Sequence, residues 1–176
     1  MRLFVAIRLP RVVRERLIAA MGGISGARWQ TDDQLHLTLR FIGSADRRQA
    51  EDAHAALGAV HHAGFEARLS GAGFFEHRGK PDAVWAGVAP AEPIAALHRK
   101  IDQALVRAGC EPERRAFVPH ITMARLGRAA GPIGGFLEQA GDLSSPPFAV
   151  DRITLFESDR TAERAVYSAV ADYPLT

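Results

Sequence analysis

Apolar residues recur along this chain at two spacings, and the switches between them mark its elements. Residues 2–9 form an apolar run closed by Pro10, which predicts a first buried strand. Val13, Leu17, Ala20 and Met21 follow at helical steps, and Gly22-Gly23 closes that helix over 11–21. Residues 24–34 are rich in turn formers and predict a loop with Trp29 inside it. Residues 35–42 alternate polar and apolar with period two, predicting a strand with two distinct faces. Gly43-Ser44 ends it and supplies the N-cap of a helix over 45–61, with Ala50, Ala53, Leu57 and Val60 on one side.

The second half continues in the same way. Two strand-like segments, near 65–75 and 82–89, flank an Arg78-Gly79-Lys80-Pro81 turn and predict a hairpin. Glu92-Pro93 opens a third helix carrying Ile94, Leu97, Ile101, Leu105 and Ala108, which Gly109 closes. Residues 119–126 alternate again. A Gly/Pro-rich connection with one short helix near 133–140 leads to final strands at 148–157 and 164–171.

Composition narrows the class. The chain has 176 residues, 47% hydrophobic and 24% charged, enough for one domain or two small lobes sharing a core. No segment is long and apolar enough for a membrane helix, and the N-terminal run carries Arg8 and ends at a proline, unlike a signal peptide. The lone Cys110 cannot form an internal disulfide, which fits a reducing compartment, so a cytoplasmic protein is expected. Net charge is +2, and only Lys80 and Lys100 among the 22 basic residues are lysines. The arginines permit a nucleic-acid partner without demanding one.

The chemistry lies in one repeated pattern. His36-Leu37-Thr38-Leu39 and His120-Ile121-Thr122-Met123 both read His, aliphatic, Thr, apolar, one in each half of the chain. That suggests a duplicated lobe. On a strand, residues i and i+2 share a face, so each His projects with its Thr while the apolar partners face the core. If the two strands lie side by side, two imidazoles and two hydroxyls converge. One neutral and one protonated imidazole can remove and deliver protons in a single displacement, with a bell-shaped pH profile. Threonine hydroxyls can donate to non-bridging oxygens. A strained cyclic phosphodiester suits such a pair, because one bond breaks and no metal is required.

Other chemistries lack their residues. There is no HExxH, no paired cysteine and no carboxylate adjacent to either motif, and Asp32 and Asp33 read as turn caps. No G-x-S-x-G elbow is present. Neither lysine has the Lys-x-Asp-Gly context of an ATP-dependent ligase. Of the remaining histidines, His54, His61, His62 and His98 read as surface residues, and His77 as a turn residue that could border the cleft. Trp29 either stacks on a base or seals the core beneath its loop.

These residues resemble the 2H phosphoesterase superfamily, named for its two His-x-Thr motifs. More closely, the chain resembles the bacterial and archaeal RNA 2′,3′-cyclic phosphodiesterases, also called 2′-5′ RNA ligases. The likeness runs through Arg2-Leu3-Phe4-Val5-Ala6-Ile7, His36 to Gly43, Val84-Trp85-Ala86-Gly87-Val88, Phe117 to Arg125, and Leu155-Phe156-Glu157-Ser158.

The resemblance implies an α+β fold over 1–176: a single bilobal domain of two pseudo-symmetric antiparallel lobes, with outer helices and a central cleft. It implies an RNA terminus bearing a 2′,3′-cyclic phosphate as partner; no cofactor and no metal are expected, and a monomer is the default. By analogy His36 protonates the departing 3′ oxygen, His120 activates water, and the product carries a 2′-phosphate. Ligation would be the same chemistry, with an RNA hydroxyl replacing water. Arg125 would bind phosphate and Phe41 would stack on a base. Strict alternation turns both away from the histidines, so either a twist or bulge precedes each or these two roles do not carry over. Alternation alone instead offers Arg40, on the His36 face, as the phosphate ligand. Two alternatives stand beside the RNA-end hydrolase: a cyclic phosphodiesterase for a small nucleotide or ADP-ribose derivative, and a non-catalytic RNA-end binding module.

Overall fold

A computed structural model describes residues 1–176. In chain order the elements are β1 (Arg2–Arg8), α1 (Arg11–Ala19), β2 (Arg28–Trp29), a 3₁₀ turn (Asp32–Gln34), β3 (His36–Ser44), α2 (Arg47–Gly58), β4 (Phe65–His77), β5 (Lys80–Ala89), α3 (Ala91–Arg107), β6 (His120–Arg125), α4 (Gly134–Ala140), β7 (Phe148–Val150), β8 (Arg152–Arg160) and β9 (Ala165–Pro174). No helix is long and apolar enough to cross a membrane.

The strands form two antiparallel sheets. One has the order β3-β1-β8-β9 and the other β2-β6-β5-β4-β7. The fold class read from the sequence, α+β with two lobes of antiparallel sheet, is the one observed. A continuous apolar cluster links the lobes, drawing Val5 and Ile7 from β1, Leu37 and Leu39 from β3, Val84 and Ala86 from β5, and Ile121 and Met123 from β6. Ile94, Leu97, Ile101 and Leu105 bury one face of α3, which lies against β3 and packs beside α2.

Four local readings are corrected. Asp46, not Ser44, caps α2: its carboxylate accepts from the Gln49 amide at 2.8 Å while the Gln49 side chain accepts from the Asp46 amide at 2.8 Å. The loop 24–34 contains β2 and the 3₁₀ turn. The strand expected at 148–157 is two strands in different sheets, β7 on β4 and β8 on β1. Asp151 and Arg152 are consecutively exposed, which shifts the burial phase, and the Asp151 carbonyl accepts from Leu175 where the chain changes sheets. His98 is buried rather than on the surface, because it lies on the core-facing side of α3.

Glycine is required where the second lobe is tightest. Gly87 pairs with His120 in the β5–β6 ladder, and a Cβ there would come within 2.3 Å of the Ser70 carbonyl oxygen on β4. Gly73 lies under Trp85, where a Cβ would approach the indole to 2.4 Å.

Candidate active site

The two His-x-Thr strands are not ladder partners. They belong to different sheets and face each other where the lobes meet. Between them is a cleft of about 890 Å³ lined by His36, Thr38, Phe41, His120, Thr122 and Arg125. All six predicted site residues thus share one cavity. A second groove of about 730 Å³, between α2 and α3, is lined largely by alanines and lies away from this chemistry.

A matching irregularity in each strand sets the positions of Phe41 and Arg125. In the β1–β3 ladder Ala6 pairs with Thr38 and Val5 with Arg40, which leaves Leu39 without a partner. In the β5–β6 ladder Trp85 pairs with Thr122 and Val84 with Ala124, which leaves Met123 without one. Each bulge falls three residues after the histidine and advances the alternation by one residue. Residues 39 and 40 are therefore both buried, as are 123 and 124, while Phe41 and Arg125 emerge on the cleft side.

The same bulge turns most of Arg40 inward, although the residue still borders the cleft. Its side chain is 5% exposed. Nε donates to Asp102 Oδ1 at 2.8 Å, and the two Nη groups donate to the carbonyls of Phe41 and Glu111. Three of the five N–H donors of the guanidinium are so engaged, which ties it to α3 and the 111–113 segment. Arg125 is exposed and forms no ion pair within the protein.

Both histidines are tied to the backbone two residues upstream. His120 Nδ1 lies 2.6 Å from the Val118 carbonyl, which can only accept, so the proton is on Nδ1. His36 is hydrogen-bonded to the Gln34 backbone, and its Nε2 lies 2.9 Å from the Thr38 hydroxyl. Nε2 is the reactive nitrogen of neutral His120.

Their surroundings differ. His36 sits among aromatic rings: Phe4 at 4.9 Å, Tyr167 edge-on at 5.1 Å and Phe156 at 6.1 Å. Burial pushes its pKa down to about 4, the Gln34 backbone opposes that, and the charges of Arg125 and His120 lower it further. His120 packs against Phe75 at 4.7 Å and Trp85 at 5.9 Å. Burial lowers its pKa too, the bond to Val118 resists, and Arg125 adds to the lowering. A single free cation thus acts on both rings.

Tyr167, Phe4 and Phe156 were missed as site residues by sequence reasoning. Phe4 and Phe156 fall within segments of the family resemblance but carried no role there. Tyr167 has no signal beyond strand alternation. It lines the cleft, and burial raises its phenol pKa while Arg125 and Arg160 pull it down. His77 does border the cleft. Trp29 seals the core, packing on Phe136 at 5.5 Å. His54 is exposed as expected, with its Nδ1 within 2.6 Å of the Tyr173 hydroxyl. Asp32 pairs with Arg14 and Asp33 with Arg164, around the 3₁₀ turn that leads into His36.

Chemically, the cleft presents two imidazole Nε2 atoms, two threonine hydroxyls and an unpaired guanidinium. These groups suit a compact anion with one proton to lose and one to gain. Phe41 and Arg115 line the side of the cleft beside the 111–117 segment, and Glu76 and Asp82 line the side beside Arg125.

Comparison with known proteins bears on the family and the fold. The family model described as the 2′-5′ RNA ligase superfamily matches residues 14–162. A Thermus thermophilus protein named RNA 2′,3′-cyclic phosphodiesterase is 38% identical over 137 residues, which is 71% of this chain and 68% of that protein. The Escherichia coli protein of the same name is 29% identical over 99% of this chain and 97% of its own. The crystal structure of Escherichia coli LigT complexed with 3′-AMP matches with a TM-score of 0.79 at 27% identity, covering 99% of this chain and 98% of that one.

Proposed function

The chain belongs to the 2′-5′ RNA ligase superfamily, and from that premise we propose that it hydrolyses RNA 2′,3′-cyclic phosphate ends to 2′-phosphates without a metal. The observation that carries this reading is the pair of backbone-tethered histidines in one cleft, each with its threonine, and Arg125 between the lobes. The names and full-length similarity of the relatives support the substrate class.

In the proposed mechanism the phosphate lies against Arg125 and the hydroxyls of Thr38 and Thr122. Phe41 stacks on the terminal base. Water gives a proton to His120 Nε2 as its oxygen attacks phosphorus. The P–O3′ bond breaks, and the 3′ oxygen takes the proton of His36 Nε2. His120 ends protonated and His36 neutral, and solvent resets both. Run in the same direction, with an RNA 5′-hydroxyl in place of water, the same steps join two ends in a 2′-5′ linkage.

This assignment requires His36 to be protonated although its pKa in the free protein lies near 4. The bound phosphate anion supplies the difference, because a negative charge beside the ring favours the imidazolium.

A short RNA ending in a 2′,3′-cyclic phosphate, incubated with chelator and resolved against 2′- and 3′-phosphate standards, tests the reading. The expected product is the 2′-phosphate, absent in His36→Ala and His120→Ala. A 3′-phosphate product overturns the choice of leaving oxygen. No turnover with RNA, but turnover of small cyclic nucleotides, replaces the substrate. Tight binding with no turnover of either leaves a binding module.

A further inference from the structure

A bulge in an antiparallel strand frees a backbone carbonyl that its ladder no longer uses, and a buried carbonyl needs a donor. The two motif strands meet this need differently. In β6 the unpaired residue is Met123, and its carbonyl accepts from the Gln30 amide at 2.8 Å. That donor is backbone, because β2 runs alongside β6 and pairs Trp29 with Ala124. β3 has no such neighbour, since it is the outermost strand of its sheet. The equivalent carbonyl, that of Leu39, accepts instead from His98 Nδ1 of α3 at 2.6 Å. Leu39 is 1% exposed and His98 8%.

The contact belongs to a larger brace. One helical turn after His98, Asp102 accepts from Arg40 Nε at 2.8 Å and from the Glu113 amide at 3.2 Å. The His98 ring stacks on Phe117 at 4.1 Å and 8°. Two consecutive turns of α3 thus grip residues 39 and 40 of the bulge. They also hold the 113–117 segment that leads into His120.

We propose that His98 is a positioning residue: its hydrogen bond to Leu39 maintains the β3 bulge that turns Phe41 into the cleft. The inference rests on the reading of Phe41 as the base-stacking residue. Without the donor, the Leu39 carbonyl is buried and unsatisfied, and the strand relaxes toward regular alternation. Regular alternation exchanges Phe41 for Arg40 at the cleft surface, because a one-residue slip reverses the faces.

Two variants separate the bond from the stack. His98→Phe keeps a ring on Phe117 and loses the donor. His98→Asn keeps a donor near the Nδ1 position and loses the ring. Hydrogen exchange of residues 38–43 in the ligand-free protein reads the bulge without reference to activity. His98→Phe is expected to speed exchange there and leave β8 and β9 unchanged. It should raise KM for the cyclic-phosphate RNA about tenfold with kcat changed no more than about twofold, and His98→Asn should recover most of that rise. In a Phe41→Ala background, His98→Phe should raise KM no further.

Unchanged exchange in His98→Phe overturns the proposal. So does a KM effect that persists without Phe41, or a His98→Asn protein as impaired as His98→Phe. If Phe41→Ala alone leaves KM unchanged, base stacking fails, and exchange of 38–43 then decides the role of His98 by itself.

Discussion

The two His-x-Thr strands are alike in backbone and unlike in everything that covers it. Both place a half-buried His and Thr on one face, bury the next two residues at a bulge, and expose the residue five after the histidine. Both tie a ring nitrogen to the carbonyl two residues upstream. The positions after that diverge: Arg40 and Phe41 in one lobe, Ala124 and Arg125 in the other. One bulge is held by a neighbouring strand and the other by a side chain from α3. The repeated backbone brings two imidazoles to one cleft, and the unequal surroundings allow them different work.

The largest expected effects ask whether the two histidines are as equivalent as their backbones. His36→Ala and His120→Ala should each lower kcat by about 10²–10⁴-fold, the usual contribution of a positioned acid or base. A substrate whose 3′ oxygen is replaced by sulfur separates the roles, because a thiolate leaves without protonation. With it, His36→Ala should regain most of its activity and His120→Ala should regain none. Rescue of His120→Ala instead would reverse the roles assigned to the two lobes.

The next comparison is between the two residues the bulges deliver. Arg125→Ala should cost about 10²-fold in kcat/KM and appear in kcat, since a guanidinium beside the phosphate acts most strongly as charge develops. Arg125→Lys should recover part of it. Phe41→Ala should raise KM by about tenfold or less and leave kcat nearly unchanged, as expected of stacking on a base remote from the reacting bond. Equal losses in both parameters for both variants would show that the residues do not divide phosphate and base between them.

Much of this was legible in the sequence, and the failures share a cause. Periodicity located β3, β6 and the apolar face of α3, and two matching His-x-Thr patterns pointed to one cleft. Hydrophobic alternation cannot register a one-residue bulge, since Leu39-Arg40 and Met123-Ala124 carry no glycine or proline to announce it. Arg40 was therefore offered as the phosphate ligand, whereas it borders the cleft with its guanidinium tied to Asp102 and two carbonyls. His98 was read as exposed because a histidine beside Leu97 looks polar until β3 is known to need a donor there. Tyr167 packs on His36 only because β9 pairs with β8, a contact between distant parts of the chain. The resemblance put Phe41 and Arg125 at the cleft, which both residues line, and the bulges give the physical reason for that placement.

The unequal surroundings of the two rings can be read from pH. The folded protein resists protonating His36, whose pKa falls from 6.5 to about 4 chiefly through burial among Phe4, Phe156 and Tyr167. The unfolded chain has no such resistance and binds that proton near pH 6.5. Stability due to this group is therefore intact above pH 6.5 and falls as pH drops toward 4, where the folded form also takes up the proton. The loss across that window is at most about 3 kcal/mol, from 1.36 kcal/mol per pKa unit. Urea unfolding near pH 7 and near pH 4 should show His36→Gln losing less stability on acidification than the parent, by up to that amount. His120→Gln should recover less, because its ring is held beside only Phe75 and Trp85 and its pKa is lowered against a strong bond to Val118. Phe156→Ala sharpens the point: admitting water beside His36 should move its NMR titration back toward 6.5 and leave that of His120 in place. A parallel shift of both rings would mean that the aromatic cage is not private to His36 and does not set the difference between them.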